Sequence, residues 1–221
     1  MTHATRALSD LGDAAATLDG VYRVETHSRA ATTPMIVDRI RSVYPHDRIY
    51  GEYCTVQRYV DAPPRDLYEW LSHTRSLEEW TYSTRDFTPT DTAGLWVGTD
   101  RLNADTAIYV RTEANPEART VDYHCAWDQG RHLWMIYLMR VVDAKLVFDK
   151  PGSVVLWTNC RHPFYDHNPY PETAPPGRQE WVGDLWDMFA AGHQIELDNL
   201  AAIAEYRHRH HLPLTPEWMR A

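Results

Sequence analysis

The sequence predicts an α+β fold: an antiparallel sheet of about seven strands, one long C-terminal helix and a partly helical N-terminal extension. Three observations carry this. Strand-length segments recur at even spacing from Tyr82 to Arg161, separated by short turn-forming stretches. One further strand and two short helical segments precede them. A single long helical stretch, from about Gln179 to His210, follows them.

The elements follow in chain order. Residues 1–50 form the extension; their aromatic residues are Tyr22, Tyr44 and Tyr50, and all nine Trp lie from Trp70 to Trp218. Thr2 to Leu18 has helical composition, with Leu8, Leu11 and Ala15 on one face. A second weak helix is expected from Pro34 to Val43, because Met35, Ile36, Ile40 and Val43 form a stripe and Pro34 suits a first turn. This extension is expected to pack on the main domain, residues 51–221, or on a second subunit, which leaves a homodimer open.

Gly51 to Val60 is rich in Tyr, Val and Thr and reads as a strand. Asp61-Ala62-Pro63-Pro64 breaks it. Short helices are expected over Pro64–Ser72 and Arg75–Trp80. Strands are expected over Tyr82–Phe87, Leu95–Leu102, Thr106–Thr112, Thr120–Trp127, Leu133–Val142 and Ser153–Arg161. Gly, Asn, Asp and Pro fill the separators, as in Asp91-Thr92-Ala93-Gly94 and Asn115-Pro116-Glu117. Connections this short join antiparallel neighbours. The stretch from His162 to Gly177 holds five Pro and cannot be regular structure.

Composition excludes some functions. The chain has 221 residues, with 43% hydrophobic and 24% charged, enough for a core without disulfide or metal staples. The net charge of −9 argues against phosphate-neutralising nucleic-acid binding and against attachment to anionic membranes. The basic run from Arg207 to His211 is expected to be a solvated helix end whose cations suit the helix dipole. The longest apolar run, Leu133 to Met139, is strand length and far short of a membrane span. The first 20 residues carry Asp10 and Asp13 and no apolar core, so no secretory signal is expected. Cys54, Cys125 and Cys160 are widely spaced in strand-like contexts; reduced thiols and a cytoplasmic location are the expectation.

The order strand, two short helices, six strands, long helix, with the stretches DAPPRDLYEWLS and HQIELDNLAAIAEYR, resembles the START/polyketide-cyclase superfamily over about residues 51–210. The resemblance implies the helix-grip fold of the birch-pollen allergens: a curved antiparallel sheet wrapped around the long C-terminal helix, with an apolar ligand cavity between them. Members include polyketide cyclases and dehydratases, ring-forming lyases, lipid and hormone carriers, and some metal-dependent hydrolases. The extension of about 50 residues departs from the minimal family layout. Fold alone does not choose among these functions.

The long helix singles out one carboxylate. On a wheel of about 100° per residue, Leu185, Phe189, Gly192, Leu200 and Ile203 fall within about 40° of Glu196. Glu196 thus lies in the middle of the apolar stripe, while Asp187 and Glu205 point the other way. A carboxylate facing an apolar interior is costly unless paired or protonated, and this is how general acids and bases are built. His193 and Asn199 lie three residues to either side, within reach of it. His193 can share a proton with Glu196. The alternative is that Glu196 pairs with an Arg of the sheet and fixes the packing. Gly192 either leaves room for a ligand or permits close helix–sheet packing.

Strand alternation suggests the cavity walls. Val121, Tyr123, Cys125 and Trp127 share an inward face, which puts His124 outside. Arg140 shares the Trp134 face, so Tyr137 is expected inward. Trp157, His162 and Tyr109 are candidate wall residues whose face the alternation leaves undecided. Such Tyr and Trp rings stack on aromatic ligands and donate single hydrogen bonds; the plainer alternative is that they fill core volume. His162, His167, His193 and Glu196 have zinc-ligand chemistry, but their spacing matches no tight signature, so no cofactor is expected.

The function expected is a small-molecule enzyme with a hydrophobic, aromatic-lined cavity. It would act as a cyclase, dehydratase or related proton-transfer lyase on a small hydrophobic, aromatic or polyketide-like molecule. Glu196 and His193 are the catalytic candidates. Tyr123, Trp127, Tyr137, Trp157, Asn199, Tyr109 and His162 are the substrate-binding candidates. A non-catalytic carrier or sensor, and a metal-dependent hydrolase, are the alternatives.

Overall fold

The computed structural model describes residues 7–14, 18–28, 30–32, 34–35, 38, 53–102, 106–127, 131–133, 135–160, 171–173 and 186–220. Seven strands form one sheet: β1 (Tyr53–Val60), β2 (Thr84–Pro89), β3 (Leu95–Asp100), β4 (Thr106–Asn115), β5 (Thr120–Trp127), β6 (Met135–Asp143) and β7 (Ser153–Cys160). Their order is β1-β7-β6-β5-β4-β3-β2 and every pairing is antiparallel. Strands β2 to β7 are therefore a meander. β1 returns to pair with β7, from Tyr53 opposite Cys160 to Val60 opposite Ser153.

Helix α1 (Pro64–Leu71) starts on the expected proline and buries Leu67, Trp70 and Leu71. The next expected helix is a 3-10 turn, Thr74–Ser76, running into α2 (Leu77–Trp80). Within the proline-rich stretch a 3-10 turn, Pro171–Thr173, forms against expectation, and two short α-helices were also not expected from the sequence pattern. One is α3 (Ala144–Phe148), capped by the Asp143 carboxylate on the Lys145 N–H. The long helix α4 (Trp186–Arg209) follows, and the second unexpected helix, α5 (Glu217–Arg220), closes the chain. Residues 179–185 of the expected long helix lie outside the described residues.

Alternation sets the inner face of the sheet. On β5, Val121, Tyr123, Cys125 and Trp127 are buried; on β6, Met135, Tyr137 and Met139 are buried, while Ile136 and Leu138 are exposed. The ambiguous β7 turns Val155, Trp157 and Asn159 inward. In β2 the register shifts between Arg85 and Thr88, with Asp86 at φ 60°. Arg85 and Phe87, two residues apart in this irregular stretch, are both buried. Gly98 on β3 accommodates it, because a Cβ there would lie 2.7 Å from the Arg85 carbonyl and 2.8 Å from the Phe87 ring.

The N-terminal residues depart from expectation. Between residues 7 and 13 the chain forms a 3-10 turn, Ser9–Leu11, in place of a regular helix, while Ala14 is helical and residues 15–17 lie outside the described residues. Leu8 at φ 61° and Gly12 at φ 55° have left-handed backbone, which an α-helix cannot contain. Leu8 and Leu11 are still buried in the main core. Of the second expected helix, Pro34, Met35 and Asp38 are helical, and the remainder lies outside the described residues.

These residues cover α4. Asn199, fully buried, accepts the Tyr22 N–H at 2.8 Å and donates to the Tyr22 carbonyl at 2.7 Å. Burial on α4 consequently extends past the expected stripe to Ile195, Leu197 and Ala201. The basic run also divides. His208 to His211 are exposed, as expected of a helix end, but Arg207 is fully buried against Asp10 and Glu79. Helical periodicity places Arg207 about 20° from Glu196, on the inward side, and the carboxylates that neutralise it come from distant sequence.

Candidate functional site

The site lies where the first half of the described α4 faces the concave aromatic wall. Tyr123 and Trp127 of β5, Tyr137 of β6, Trp157 of β7 and Trp80 of α2 supply rings. Gly192, His193, Ile195 and Glu196 face them from α4. Thr81 to Thr84, which link α2 to β2, close one side together with Asp100 at the end of β3. The enclosed space is about 90 Å³. That is the scale of a single small ring, against the roughly 300–1,000 Å³ of pockets that enclose drug-sized ligands.

The rings brace one another edge to face, an arrangement their quadrupoles favour. Trp80 and Trp157 are 5.6 Å apart at 88°, and Trp127 and Tyr137 are 6.2 Å apart at 76°. The imidazole of His193 is inserted into this set. It lies 4.4 Å from Trp157 at 31° and 5.3 Å from Tyr137 at 86°. The residue is 3% exposed, and neither ring nitrogen makes a hydrogen bond among the described residues. Its Nδ1 is 3.7 Å from Glu196 Oε2, close enough for an ion pair and too long for a hydrogen bond.

Glu196 is half-buried. Its Oε1 accepts the Tyr82 backbone N–H at 2.9 Å, which leaves Oε2 towards His193. No Arg of the sheet pairs with it among the described residues, so the ion-pair alternative lacks its partner there. Tyr82 in turn hydrogen-bonds through its hydroxyl to the His27 carbonyl at 3.1 Å and to Thr32 at 3.3 Å. Residues 23–28 and 30–32 therefore lie over this wall, and Thr32 reaches the cavity itself.

Arg85 fastens that cover. It is fully buried and directs Nε and Nη2 to the two oxygens of Glu25 at 2.7 and 2.9 Å. Its remaining donors bond the carbonyls of Thr81, Tyr82 and Thr84 at 3.0, 3.0 and 2.6 Å. All its donors are used, so Arg85 adds no free cationic group to the cavity. Burial pushes the Glu25 carboxyl up, but the Arg85 hydrogen bonds and the charges of Arg85 and Arg23 outweigh it and bring it down to about 2.

The sequence reading missed Asp100. It is 4% exposed and lines the cavity. Ser83 donates to its Oδ1 at 2.5 Å, the Leu102 N–H to the same oxygen at 2.9 Å, and Trp127 Nε1 to Oδ2 at 2.8 Å. Burial pushes its carboxyl above the usual range, and the charge of Glu196 acts in the same direction, against these hydrogen bonds. A signal was present: alternation in Trp96-Val97-Gly98-Thr99-Asp100 puts Asp100 on the face of Trp96 and Gly98, and Asp is depleted in strands.

The structure brings Glu196, His193, Tyr123, Trp127, Tyr137 and Trp157 to one cavity. It places two other candidates elsewhere. Asn199 lies one turn beyond Glu196, where it bonds the backbone of Tyr22 and donates to the Trp80 carbonyl at 3.2 Å. Its hydrogen bonds hold the cover, and it does not line the cavity. Tyr109 is half-exposed on the outer face of β4, because Ile108 and Val110 take the inner face. His162 and His167 lie outside the described residues. Cys125 lines the cavity, where burial pushes its thiol up and so opposes the thiolate a nucleophile needs. Among the described residues, no three His, Cys, Asp or Glu side chains converge as a metal site. No described helix is long and apolar enough to cross a membrane.

A scan of protein-family models and a search of curated proteins give no match. Solved structures do match. The Zhui aromatase/cyclase from Streptomyces is 14% identical, with a TM-score of 0.51, over 70% of this chain and 94% of that one. A START superfamily protein from Mycobacterium smegmatis is 11% identical, with a TM-score of 0.47, over 72% of this chain and 99% of that one. The fold shared with the aromatase/cyclase is the α+β arrangement of a seven-stranded antiparallel sheet and a long C-terminal helix, as the resemblance in the sequence implied.

Proposed function

We propose that this protein is a small-molecule enzyme that performs a cyclisation, dehydration or related proton transfer on an aromatic or polyketide-like substrate. One observation carries the proposal: two carboxylates and an imidazole face a single aromatic-walled cavity. Proton transfer by positioned side chains needs such groups within reach of the reacting atoms. Glu196 is the acid or base. Its carboxylate is aimed by the Tyr82 N–H, and His193 is the neighbour with which it exchanges a proton. Asp100, held above the usual carboxylate range, is a second proton reservoir on the same wall. The aromatic rings orient a planar substrate and exclude water from the step. The cavity volume suits one ring of the substrate at a time, so the reacting ring is the part that lies against the aromatic wall, facing Glu196 and His193.

Substituting Glu196→Gln tests this. The Gln carbonyl still accepts the Tyr82 N–H, so the thermal midpoint should hold. Turnover of a polyketide-like substrate, followed by mass spectrometry, should fall by about 10²–10⁴-fold. Undiminished turnover would remove Glu196 from the mechanism. Ligand returned unconverted by the native protein would favour a carrier, and conversion that requires added zinc would favour a hydrolase.

A further inference from the structure

The cavity has a second polar end. Seven buried side-chain nitrogen or oxygen atoms make no hydrogen bond among the described residues, and five of them belong to Trp157, Asn159 and His193. All three residues are at most 3% exposed. Native proteins leave few buried polar atoms unpaired, and a cluster of them calls for a ligand or a catalytic role. The three are neighbours. Trp157 and Asn159 are two residues apart on the inner face of β7, His193 stacks 4.4 Å from Trp157, and Asn159 pairs in register with Tyr137. Tyr137, Trp157 and His193 line the cavity, and Asn159 is the next inward-facing residue of β7 after Trp157.

We propose that Trp157 and Asn159 form a carbonyl-oxygen site, and that the ligand is a planar aromatic ketone or its enol. An indole N–H can only donate, and the Asn159 amide donates through Nδ2, so the two suit one oxygen with two lone pairs. Two donors exclude an organic cation at this end. Asp100 and Glu196 on the same cavity, with no Lys or Arg in its described lining, disfavour a carboxylate or phosphate ligand. A neutral carbonyl satisfies both conditions. The same donors grow stronger partners for that oxygen as enolate charge develops on it, while Glu196 and His193 stand beside the site to handle the proton. This assignment rests on the proposed small-molecule function and specifies its ligand class.

The test compares acetophenone with ethylbenzene, which differ at the carbonyl, on the full-length protein. Affinities come from calorimetry, and indole N–H resonances from nitrogen-15 NMR, with the Trp157 peak assigned by its loss in Trp157→Phe. Acetophenone should bind about tenfold tighter than ethylbenzene, the yield of two modest hydrogen bonds. The Trp157 resonance should move with the ketone and stay in place with the hydrocarbon. Asn159→Leu should weaken acetophenone about threefold or more and leave ethylbenzene unchanged, and Trp157→Phe, which also alters the wall, should weaken acetophenone about threefold more than it weakens ethylbenzene. Asn159→Leu should also raise the thermal midpoint, because it removes two unpaired atoms from the interior; if that variant fails to fold, Trp157→Phe carries the test. Equal affinity for the two probes would overturn the carbonyl site and leave a ring-binding cavity standing. A ketone preference that survives both substitutions would also overturn it. Binding of neither probe would overturn the carbonyl site and the aromatic cavity together.

Discussion

Two buried polar regions share helix α4 and differ in how their hydrogen bonds are used. At Arg207 every donor is taken. Its guanidinium bonds Asp10 at 2.8 and 2.7 Å, Glu79 at 2.7 and 2.8 Å, and the Leu214 carbonyl at 3.1 Å. Glu79 is fully buried as well and also accepts Trp70 Nε1 at 2.9 Å and the Leu8 N–H at 3.2 Å. Four turns earlier on the same helix, His193 is almost as deeply buried and has no hydrogen bond among the described residues. Both regions carry the cost of removing polar groups from water. One recovers it within the fold. The other leaves it open to whatever enters the cavity, and that separates architecture from site.

The comparison can be broken first at the saturated end. Arg207→Met removes the charge that compensates Glu79, which has no exposure of its own. The loss should be about 3–5 kcal/mol, read as a fall in the denaturation midpoint at unchanged slope. A loss below about 1 kcal/mol would show that the saturated network is ornamental.

Acid should loosen the cover next. The Glu25 carboxyl is held at about 2 in the folded protein, down from an ordinary value of 4.5. A depressed carboxyl contributes stability that is present above 4.5 and is lost as the pH falls towards 2. The Val24 N–H, bonded to the Tyr82 carbonyl at 3.2 Å, should lose hydrogen-exchange protection across that window before the β5 amides do. Glu25→Gln should abolish the window and leave the cover loose at neutral pH. Simultaneous loss of protection in both places would mean that the cover has no separate stability.

The smallest stability effect belongs to the open end. His193→Phe keeps a ring against Trp157 and Tyr137 and deletes two unpaired nitrogens. Its denaturation midpoint should change by no more than about 1 kcal/mol in equivalent stability, in either direction. Turnover should fall by about 10²-fold or more, because the proton partner of Glu196 is gone. A large destabilisation with turnover intact would move His193 from the site to the architecture.

Most of the fold was legible from local chemistry. Turn residues at even spacing defined the meander, and alternation placed Tyr123, Trp127 and Tyr137 on the inner face correctly. Helical periodicity brought Glu196 and His193 towards the sheet. The same reasoning stopped where both faces of an element looked alike or where the partner was remote. In β7 the two faces are similarly apolar, so the inward course of Trp157 and Asn159 depended on pairing with β6. Tyr109 and Asn199 resembled wall residues, but one sits on the outer face of β4 and the other on the side of α4 covered by Tyr22.

The sequence by itself determined the class of the fold, the meander from β2 to β7 and the helix face that carries Glu196. These follow from periods of two and about 3.6 residues and from turn chemistry, which act between near neighbours. Tertiary structure decided which polar groups are satisfied. Arg207 finds Asp10 across 197 positions of sequence, and Asn199 finds Tyr22 across 177. Asp100 meets Ser83 through the pairing of β2 with β3, while the side-chain nitrogens and oxygen of His193, Trp157 and Asn159 find no hydrogen-bond partner among the described residues. Hydrogen-bond satisfaction depends on distances between remote segments, and no local pattern encodes them.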